Sequence, residues 1–576
     1  MRRREFLSSI LAGTALAAAG PARAGLLQST VDWAPLRRAV GDRLLPIVSP
    51  LVQAQAGQVD PAELFRRIKN PYWIGDEPGL TQTLGWIDAW TSRPGLMALA
   101  AESAADVSAA IRFASSSGIP FVVKGGGHSY FGNSNRADSL LVWTRRLRDI
   151  AMHERFRPQG APAGTEFEAV SVGAGTMWGE VYRVVSRDHG RYVQGGGCVT
   201  VGTAGFVQGG GFGSFSKQFG TGAANLIEAE IVTADGVIRT VNAWQDPELF
   251  YALRGGGGGT FGVVTRLTLR THSLPETFGV MAFELRAADD AVWRALVERV
   301  LLFYREALFR PEWGEQVRFS PGRRLSVSML CHSRSEAEIR ATWAPFLDWV
   351  SAQDGLALAA EPMVASLPGR RLWDPDFITR VPGQTIMDDR PGASSDNFFW
   401  SANLGEAGQV LNAYQSRWIS ASWLEQGRLG QLADALVSAS GEWPVALHLN
   451  KGLAGGSAEA LAATRETATN PAVIDAFALL ICAADAPPGY PGISGHEPDV
   501  ARGRQEAARV SRAMVPIKAL DPQAGCYMSE ADYFEADWQS AYWGANYARL
   551  SDVKARYDPR NLFTGHHMVQ PRHRNG

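Results

Sequence analysis

The chain has 576 residues, of which 45% are hydrophobic and 20% charged, and its net charge at pH 7 is −2. Its length predicts roughly two to four domains, and its apolar content is that of an ordinary globular protein. The charge lacks the basic excess that nucleic-acid-binding proteins show. Four cysteines do not make a disulfide framework in so long a chain. We therefore predict a globular protein that does not bind nucleic acid.

The first 24 residues have the features of a cleaved export signal. A basic start precedes an apolar run from Leu7 to Gly20 and an Ala22-Arg23-Ala24 site, which is the order that export signals show. Arg3-Arg4-Glu5-Phe6-Leu7 resembles the twin-arginine signal, which exports folded proteins; a general secretory signal is the alternative. The run is too short to cross a bilayer. We predict a signal peptide at 1–24, a periplasmic or secreted location and no membrane span.

The segment 25–91 is rich in proline and aromatic residues, and it predicts an N-terminal extension lying on the main body. Residues 103–117 then carry apolar side chains at helical spacing, and a glycine and a proline end this helix. The apolar residues 120–123 predict a buried strand. This strand leads directly into three consecutive glycines.

Further along the chain, apolar and polar residues alternate around Asp235-Gly236, which predicts a hairpin over 226–241. Asp246-Pro247 predicts the start of a helix, with the aspartate as N-cap. Gly257-Gly258-Gly259-Thr260-Phe261-Gly262 matches the dinucleotide-binding glycine pattern, but that pattern needs a strand before it and a helix after it. Here a helix comes first and a predicted strand at 263–269 follows. The context excludes a nicotinamide-binding fold.

Two nucleophilic side chains stand directly behind glycine runs. His128 follows Gly125-Gly126-Gly127, and Cys198 follows Gly195-Gly196-Gly197. Without Cβ atoms, such runs let backbone N–H groups come close to a ligand, and successive N–H groups suit an anion such as phosphate. Either nucleophile alone fits an ordinary buried residue beside a tight turn. The two together predict a ligand site.

The motifs around these two runs resemble those of a known flavoprotein family. Gly126-Gly127-His128-Ser129-Tyr130 and the segment 196–202, followed by 542–550 and 553–563, are similar to the berberine-bridge-enzyme-like oxidoreductases of the vanillyl-alcohol-oxidase type. The resemblance implies an α+β protein with a two-part FAD-binding domain. The implied parts are an FAD-binding domain at 92–273, an α+β substrate domain at 274–518 and a C-terminal segment at 519–576 that returns to the FAD-binding domain.

The resemblance also implies how FAD is held. In the family, the matching histidine bonds to the flavin 8α-methyl and the matching cysteine to flavin C6, so covalent attachment is predicted at His128 and Cys198. The other implied cofactor-binding residues flank these two or return from the C-terminal segment. They are Lys124, Gly125, Gly126, Gly127, Ser129, Gly197, Val201, Gly202, Gly209, Gly210, Gly211, Gly213, Asn546 and Tyr547.

Candidate catalytic groups follow from the same resemblance. The Tyr-x-Asn-Tyr motif of the family is represented here by Tyr527-Met528-Ser529-Glu530, so Tyr527 and Glu530 are the candidate bases, each needing a tuned pKa. The alternative is a tyrosine packed under the flavin and a solvated glutamate. His566-His567 has no second cluster at ligand spacing, so no metal is predicted.

Val201 lies where the family gates oxygen, and a small valine there is associated with oxidases; the alternative is an ordinary core valine. The implied function is an exported FAD-linked oxidase that takes a hydride from an alcohol carbon and passes the electrons to O2, giving peroxide. A sugar or oligosaccharide is the first substrate hypothesis, because the family's open clefts often serve bulky molecules. Oxidation of a phenolic or polyketide-type metabolite is the second. A non-catalytic secreted binding protein is the alternative from another class.

Overall fold

The computed structural model describes residues 31–381 and 383–572. The predicted signal peptide at 1–24 lies outside these residues. Helices and strands alternate along the described chain, which confirms the predicted α+β class. Among the helices of the described residues, none combines the length and the apolar character that crossing a membrane requires.

The strands belong to three larger sheets and one short pair. In chain order they are β1 (Leu44–Pro46), β2 (Thr83–Trp86), β3 (Trp90–Thr91), β4 (Met97–Ala100), β5 (Phe121–Lys124), β6 (Leu140–Trp143), β7 (Ile150–Phe156), β8 (Phe167–Gly173), β9 (Arg191–Val193), β10 (Leu226–Val232), β11 (Ile238–Asn242), β12 (Val263–Ser273), β13 (Thr277–Ala287), β14 (Trp313–Ser320), β15 (Arg324–His332), β16 (Leu356–Leu358), β17 (Met363–Pro368), β18 (Thr385–Met387), β19 (Phe398–Trp400), β20 (Gln409–Ser420), β21 (Val445–His448) and β22 (Ala476–Ala486).

The α-helices lie between these strands and at the C-terminal end. In chain order they are α1 (Ala34–Val40), α2 (Pro50–Gln55), α3 (Pro61–Ile68), α4 (Pro71–Asp76), α5 (Ala104–Ser117), α6 (Trp178–Tyr182), α7 (Thr203–Gln208), α8 (Ser216–Phe219), α9 (Pro247–Leu253), α10 (Asp290–Phe303), α11 (Glu336–Ser351), α12 (Pro375–Ile378), α13 (Leu429–Glu442), α14 (Ala458–Arg465), α15 (Val500–Leu520), α16 (Trp538–Trp543) and α17 (Tyr547–Tyr557).

Two sheets hold the glycine runs. The first has the strand order β1-β4-β6-β5, and the second has the order β11-β10-β12-β8-β7 with β9 beside β12. Helix α5 packs on the first sheet and has the predicted bounds: Ser103 accepts a hydrogen bond from the Asp106 N–H at its start, and Gly118, at φ 69°, follows its end. The glycine there matches the left-handed conformation that helix ends favour. Strands β10 and β11 form the predicted hairpin.

The largest sheet has the strand order β16-β13-β15-β14-β21-β22-β20-β2-β3, with β17 beside β13. Helices cover one of its faces and bury aromatic and aliphatic side chains such as Trp293, Trp343, Leu436 and Val510. Because strand side chains alternate between faces, the opposite face remains open to the two smaller sheets. The site lies on that open face.

The N-terminal segment is more than an extension lying on the main body. Strand β1 pairs antiparallel with β4 of the first sheet, and β2 pairs in parallel with β20 of the largest sheet. Residues before position 92 therefore connect the glycine-bearing part of the molecule to the largest sheet.

Asp246 occupies the predicted N-cap position of α9, but its side chain does not cap the helix. It has φ 49° and ψ 53°. Its carboxylate accepts a hydrogen bond from the Tyr557 hydroxyl instead, at 3.1 Å. A tertiary contact to the C-terminal helix α17 has replaced the local capping bond.

Candidate active site

A cavity of about 510 Å³ lies between the glycine runs and the open face of the largest sheet. Its volume is within the range of about 300–1,000 Å³ that ligand sites occupy. Residues from both glycine runs, from the third run at Gly257–Gly259, from the largest sheet and from the C-terminal segment line it. The cavity therefore collects residues that are far apart in the chain.

The first glycine run touches the backbone at Gly202, four residues after Cys198. A Cβ atom on Gly126 would lie 2.7 Å from the Gly202 nitrogen, and one on Gly202 would lie 2.7 Å from the Gly126 nitrogen. Such distances leave no room for a side chain at either position. His128 Nε2 lies 3.1 Å from the Thr200 carbonyl oxygen, and Cys198 Sγ lies 3.5 Å from Thr200 Oγ1. Thr200 thus contacts both nucleophiles, which line the same cavity.

The first glycine run also presents unpaired backbone donors. Within the described chain, the N–H groups of residues 125–130 donate no backbone hydrogen bond. Gly126 and Gly127 are buried, and buried N–H groups without a partner are rare in proteins. A run of such groups forms a concave site for anions. The loop is therefore built to bind a phosphate-bearing ligand.

Burial sets the charge of the two nucleophiles. It lowers the pKa of His128 to about 4, against the opposing effect of the hydrogen bond to Thr200. The imidazole is therefore neutral at pH 7 and keeps a lone pair for bonding. Burial, helped by the Glu406 carboxylate, raises the pKa of the Cys198 thiol to about 11. The thiol is protonated at neutral pH, because burial disfavours the charged form.

The largest sheet, the C-terminal segment and the loop after β5 contribute phenols and carboxylates to the cavity. Tyr527 Oη accepts a hydrogen bond from the Gly211 N–H at 3.4 Å, and burial raises the pKa of Tyr527 well above its usual value. The carboxylate of Glu530 forms an ion pair with Lys451. The rings of Tyr130 and Tyr414 lie 5.1 Å apart. Tyr527 is therefore a hydrogen-bonding phenol, and Glu530 is neutralised by a lysine.

Most of the predicted site residues line this cavity together. They are Gly125, Gly126, Gly127, His128, Ser129, Gly197, Cys198, Val201, Gly202, Gly209, Gly213, Tyr527 and Glu530. Residue 213 also has to be glycine, because a Cβ atom on Gly213 would lie 1.9 Å from the Gly195 carbonyl oxygen. The structure thus brings together both glycine runs and the altered tyrosine motif.

Lys124 is one of five predicted cofactor-binding residues that do not line the cavity. Its neighbours Val123 and Gly125 line the cavity, and strand alternation directs Lys124 to the opposite side. Its amino group is held by the carbonyl oxygens of Glu77, Pro78 and Leu80 at 2.7, 3.1 and 2.9 Å. Lys124 therefore anchors the N-terminal segment.

The other four are Gly210, Gly211, Asn546 and Tyr547. The two glycines have φ values of 107° and 73°, which residues other than glycine rarely adopt. They form a turn behind the cavity. Asn546 donates a hydrogen bond to the Thr469 carbonyl oxygen at 2.9 Å. The Tyr547 ring packs edge-on against Trp538 at 5.6 Å. The last two residues hold the C-terminal segment in place without reaching the cavity.

A second set of lining residues was not predicted from the sequence. They are Glu315, Glu406, Tyr414, His448, Asn450, Lys451 and the glycine run 257–259. The glycine run was itself a signal, because it permits the same close backbone approach as the other two runs. The remaining residues lie in the segment 274–518, where no motif pointed to them. Alternation along β20 and β21, once their buried faces are known, places Tyr414 and His448 on the open face.

His566 and His567 are held by neighbouring residues. His566 Nε2 lies 2.7 Å from the Tyr533 carbonyl oxygen, and His567 Nδ1 lies 2.9 Å from the Tyr542 hydroxyl. Their rings stack with centroids 3.8 Å apart. Within residues 31–381 and 383–572, no group of three histidine, cysteine, aspartate or glutamate side chains is arranged to hold a metal ion.

Comparison with known proteins defines the class of this protein as a flavin-dependent oxidoreductase. A family model described as "FAD binding domain" matches residues 96–242, and one described as "Berberine and berberine like" matches residues 526–570. The chain is 30% identical over 569 residues to the FAD-linked oxidoreductase penH of Penicillium thymicola, an alignment that covers 92% of this chain and 89% of that protein. The chain belongs to the berberine-like FAD-linked oxidoreductases.

Solved structures share the fold. A vanillyl-alcohol-oxidase-type flavoprotein of Myceliophthora thermophila, MtVAO615, superposes with a TM-score of 0.72 at 23% identity, covering 93% of this chain and 94% of that one. The glucooligosaccharide oxidase of Acremonium strictum, described with a 6-S-cysteinyl, 8α-N1-histidyl FAD, superposes with a TM-score of 0.64 at 19% identity, covering 87% and 95%. The cofactor of this protein is FAD, and the unpaired N–H groups of residues 125–130 fit its phosphates.

The contact between Gly126 and Gly202 predicts the effect of a single added methyl group. In Gly126→Ala the new Cβ would meet the backbone at Gly202 and Thr200, at 2.7 and 3.1 Å. We expect the purified variant to lose its FAD, measured by the flavin-to-protein absorbance ratio, because relieving the overlap moves the loop that carries Cys198.

Gly441→Ala is the matched control for this substitution. Gly441 lies in α13, and a Cβ atom there would meet nothing within 4 Å. This variant should keep its FAD and gain up to about 1 kcal/mol of stability from helix propensity. A Gly126→Ala protein with a full complement of FAD would contradict the assigned contact.

Proposed function

We propose that this FAD-linked oxidoreductase is an exported oxidase that oxidises an alcohol carbon of a sugar or oligosaccharide. The observation that carries the proposal is the placement of His128 and Cys198 on one side of a cavity whose other side holds carboxyl and phenol groups. Bound FAD supplies the acceptor for the hydride. The glucooligosaccharide oxidase of Acremonium strictum has the same fold, which supports the substrate class. Family membership favours an enzyme over a binding protein.

The polar groups of the cavity suit a hydroxyl-rich ligand. Tyr527 stays protonated, so its hydroxyl donates a hydrogen bond to a substrate oxygen. Glu530, Asn450 and Lys451 add acceptors and donors on the same side. Sites for small molecules gain specificity from a few convergent polar groups of this kind. Tyr527 and Glu530 therefore bind and orient the alcohol beside the cofactor.

A phenolic or polyketide-type metabolite is the second candidate substrate. The observation in its favour is the aromatic part of the cavity lining, where Tyr130, Tyr414, Phe131, Phe206 and Phe212 present ring surfaces. Aromatic rings stack on or pack edge-on against such surfaces with a gain of about 0.5–1.5 kcal/mol per pair beyond area burial. A planar phenol would use this surface more fully than a sugar would.

Peroxide release tests the proposed function directly. Neutral mono- and oligosaccharides and a set of phenolic alcohols would be compared at equal concentration under air. We expect oligosaccharides to give stoichiometric peroxide and to reduce the flavin anaerobically. Reduction by phenolic alcohols alone would select the second candidate. Failure of both sets to reduce the flavin would contradict alcohol oxidation.

Two covalent bonds to FAD are predicted at His128 and Cys198. Both side chains line the cavity within 3.5 Å of Thr200 atoms, and the neutral imidazole is a competent nucleophile. Intact mass of the denatured protein should show one FAD retained. His128→Ala and Cys198→Ala should each retain it through the other bond, and the double variant should lose it. Release of all FAD from either single variant would refute attachment at two points.

Val201 is the proposed oxygen gate. Val201 lines the cavity, and its N–H donates to the Cys198 carbonyl oxygen at 3.3 Å. In Val201→Leu the added methylene should slow reoxidation of the reduced protein by O2 and leave anaerobic reduction by substrate nearly unchanged. The physical reason is that O2 has to pass the enlarged side chain, whereas the substrate occupies the side of the cavity formed by the sheet. Stopped-flow absorbance resolves the two half-reactions.

Val199→Leu is the control for this gate. Val199 is 1% exposed and packs with Tyr72, Met177 and Phe399 outside the cavity. Overpacking there should cost about 1–3 kcal/mol of stability and leave both half-reactions in place. Unchanged reoxidation in Val201→Leu would remove the oxygen gate and the main argument for an oxidase over a dehydrogenase.

A further inference from the structure

Glu406 is a cavity-lining carboxylate that forms no ion pair with any residue that the structure describes. It lies just before β20 and is half-buried. Among the described residues, its carboxylate has one side-chain hydrogen bond, from Asn403 Nδ2 at 3.5 Å. A bond of that length is at the outer limit for a hydrogen bond. The carboxylate is therefore free to accept a further hydrogen bond from a ligand in the cavity.

The other acidic groups of the cavity are already engaged. Glu530 is paired with Lys451, and burial raises the pKa of Glu315 while the Ser214 side chain and the Lys451 charge oppose that rise. Tyr527 accepts from the Gly211 N–H and remains a protonated phenol. A proton acceptor has to bind the proton of the reacting hydroxyl, and a group held by another partner does so less readily. Glu406 is the lining carboxylate that is best placed for this role.

The surroundings of Glu406 bring the pKa of its carboxyl group close to neutral pH. Burial raises the pKa of Glu406 to about 7, the Glu530 charge adds to that rise, and Asn403 and Lys451 oppose it. A base of this pKa is half-ionised at neutral pH, the condition under which general-base catalysis is most effective. The charged and titratable groups that interact electrostatically with Glu406 are Cys198, Tyr130, Tyr414, Lys451, Asp485 and Glu530.

Glu406 lines the same cavity as the predicted attachment point of the flavin. Cys198, Tyr130 and Tyr414 are lining residues together with it. Burial and, after it, the Glu406 charge raise the pKa of the Cys198 thiol and that of the Tyr130 phenol. The Glu406 carboxylate therefore shares one cavity with the flavin attachment point and the aromatic lining.

We propose that Glu406 is the catalytic base of this oxidase. The inference rests on the proposed alcohol oxidation. The Glu406 carboxylate takes the hydroxyl proton and becomes a carboxylic acid, and the alcohol oxygen forms the second bond to carbon. The C–H bond breaks and its electron pair leaves with the hydrogen to FAD, so the alcohol loses two electrons and FAD gains them. The Lys451–Glu530 ion pair orients the substrate.

Glu406→Gln tests this role, because the amide has the same shape and accepts no proton. In the intact, FAD-loaded enzyme, anaerobic reduction of the flavin by its alcohol substrate should speed up as the pH rises through about 7. The variant should react about 10²–10⁴-fold more slowly and lose that pH dependence. Glu406→Asp should recover part of the rate and the pH dependence. Glu361→Gln, an exposed control, should match the unmodified enzyme.

A Glu406→Gln enzyme with the original rate and pH profile would overturn the proposal. A measurement that needs no turnover separates this outcome from failure of the proposed function. The infrared difference spectrum between the enzyme and Glu406→Gln should contain a carboxyl band that titrates near pH 7. If the band titrates in the range of an ordinary glutamate, Glu406 is not the base, even if no alcohol reduces the flavin.

Discussion

The site depends on one contact, the backbone approach of Gly126 to Gly202. Each glycine occupies space that the other would need for a side chain. The contact fixes the end of β5 against the loop before α7, and it thereby aligns a run of free N–H donors with two nucleophiles. Because both partners are backbone, no change of side chain elsewhere can substitute for it. FAD binding and the predicted attachment are consequences of this packing.

The two faces of the largest sheet have different roles. Residues of one parity along β20, β21 and β22 pack against α10, α13 and α15, and those of the other parity face the cavity or the glycine-bearing part. Glu315 departs from this pattern. Its neighbours Trp313 and Val317 are in the helix-covered core, but Glu315 has φ 74° and lines the cavity. Backbone strain of this kind is stored where function uses it.

The glycine runs and the tyrosine motif were predictable because their physical requirement is local. Free backbone donors need glycine at successive positions, and that need is visible in Gly125-Gly126-Gly127. The direction of Lys124 was not predictable from the motif alone, because it depends on which face of β5 the cavity lies on. Glu406 and Lys451 were out of reach for another reason. They line one cavity only through the pairing of β20, β22 and β21, and residues brought together by strand pairing carry no spacing signal.

The charges of the cavity follow from the different groups on its two sides, which are backbone N–H groups on one side and ionisable side chains on the other. The glycine-bearing part binds an anionic cofactor with neutral N–H groups, so it adds no positive charge that would hold the carboxylates of the opposite side ionised. Among the lining residues, Lys451 is the lysine facing Glu315, Glu406 and Glu530. One ammonium ion neutralises one carboxylate strongly, and the others retain a raised proton affinity because burial opposes their charge. A cavity with several carboxylates and one lysine therefore keeps a proton acceptor available at neutral pH.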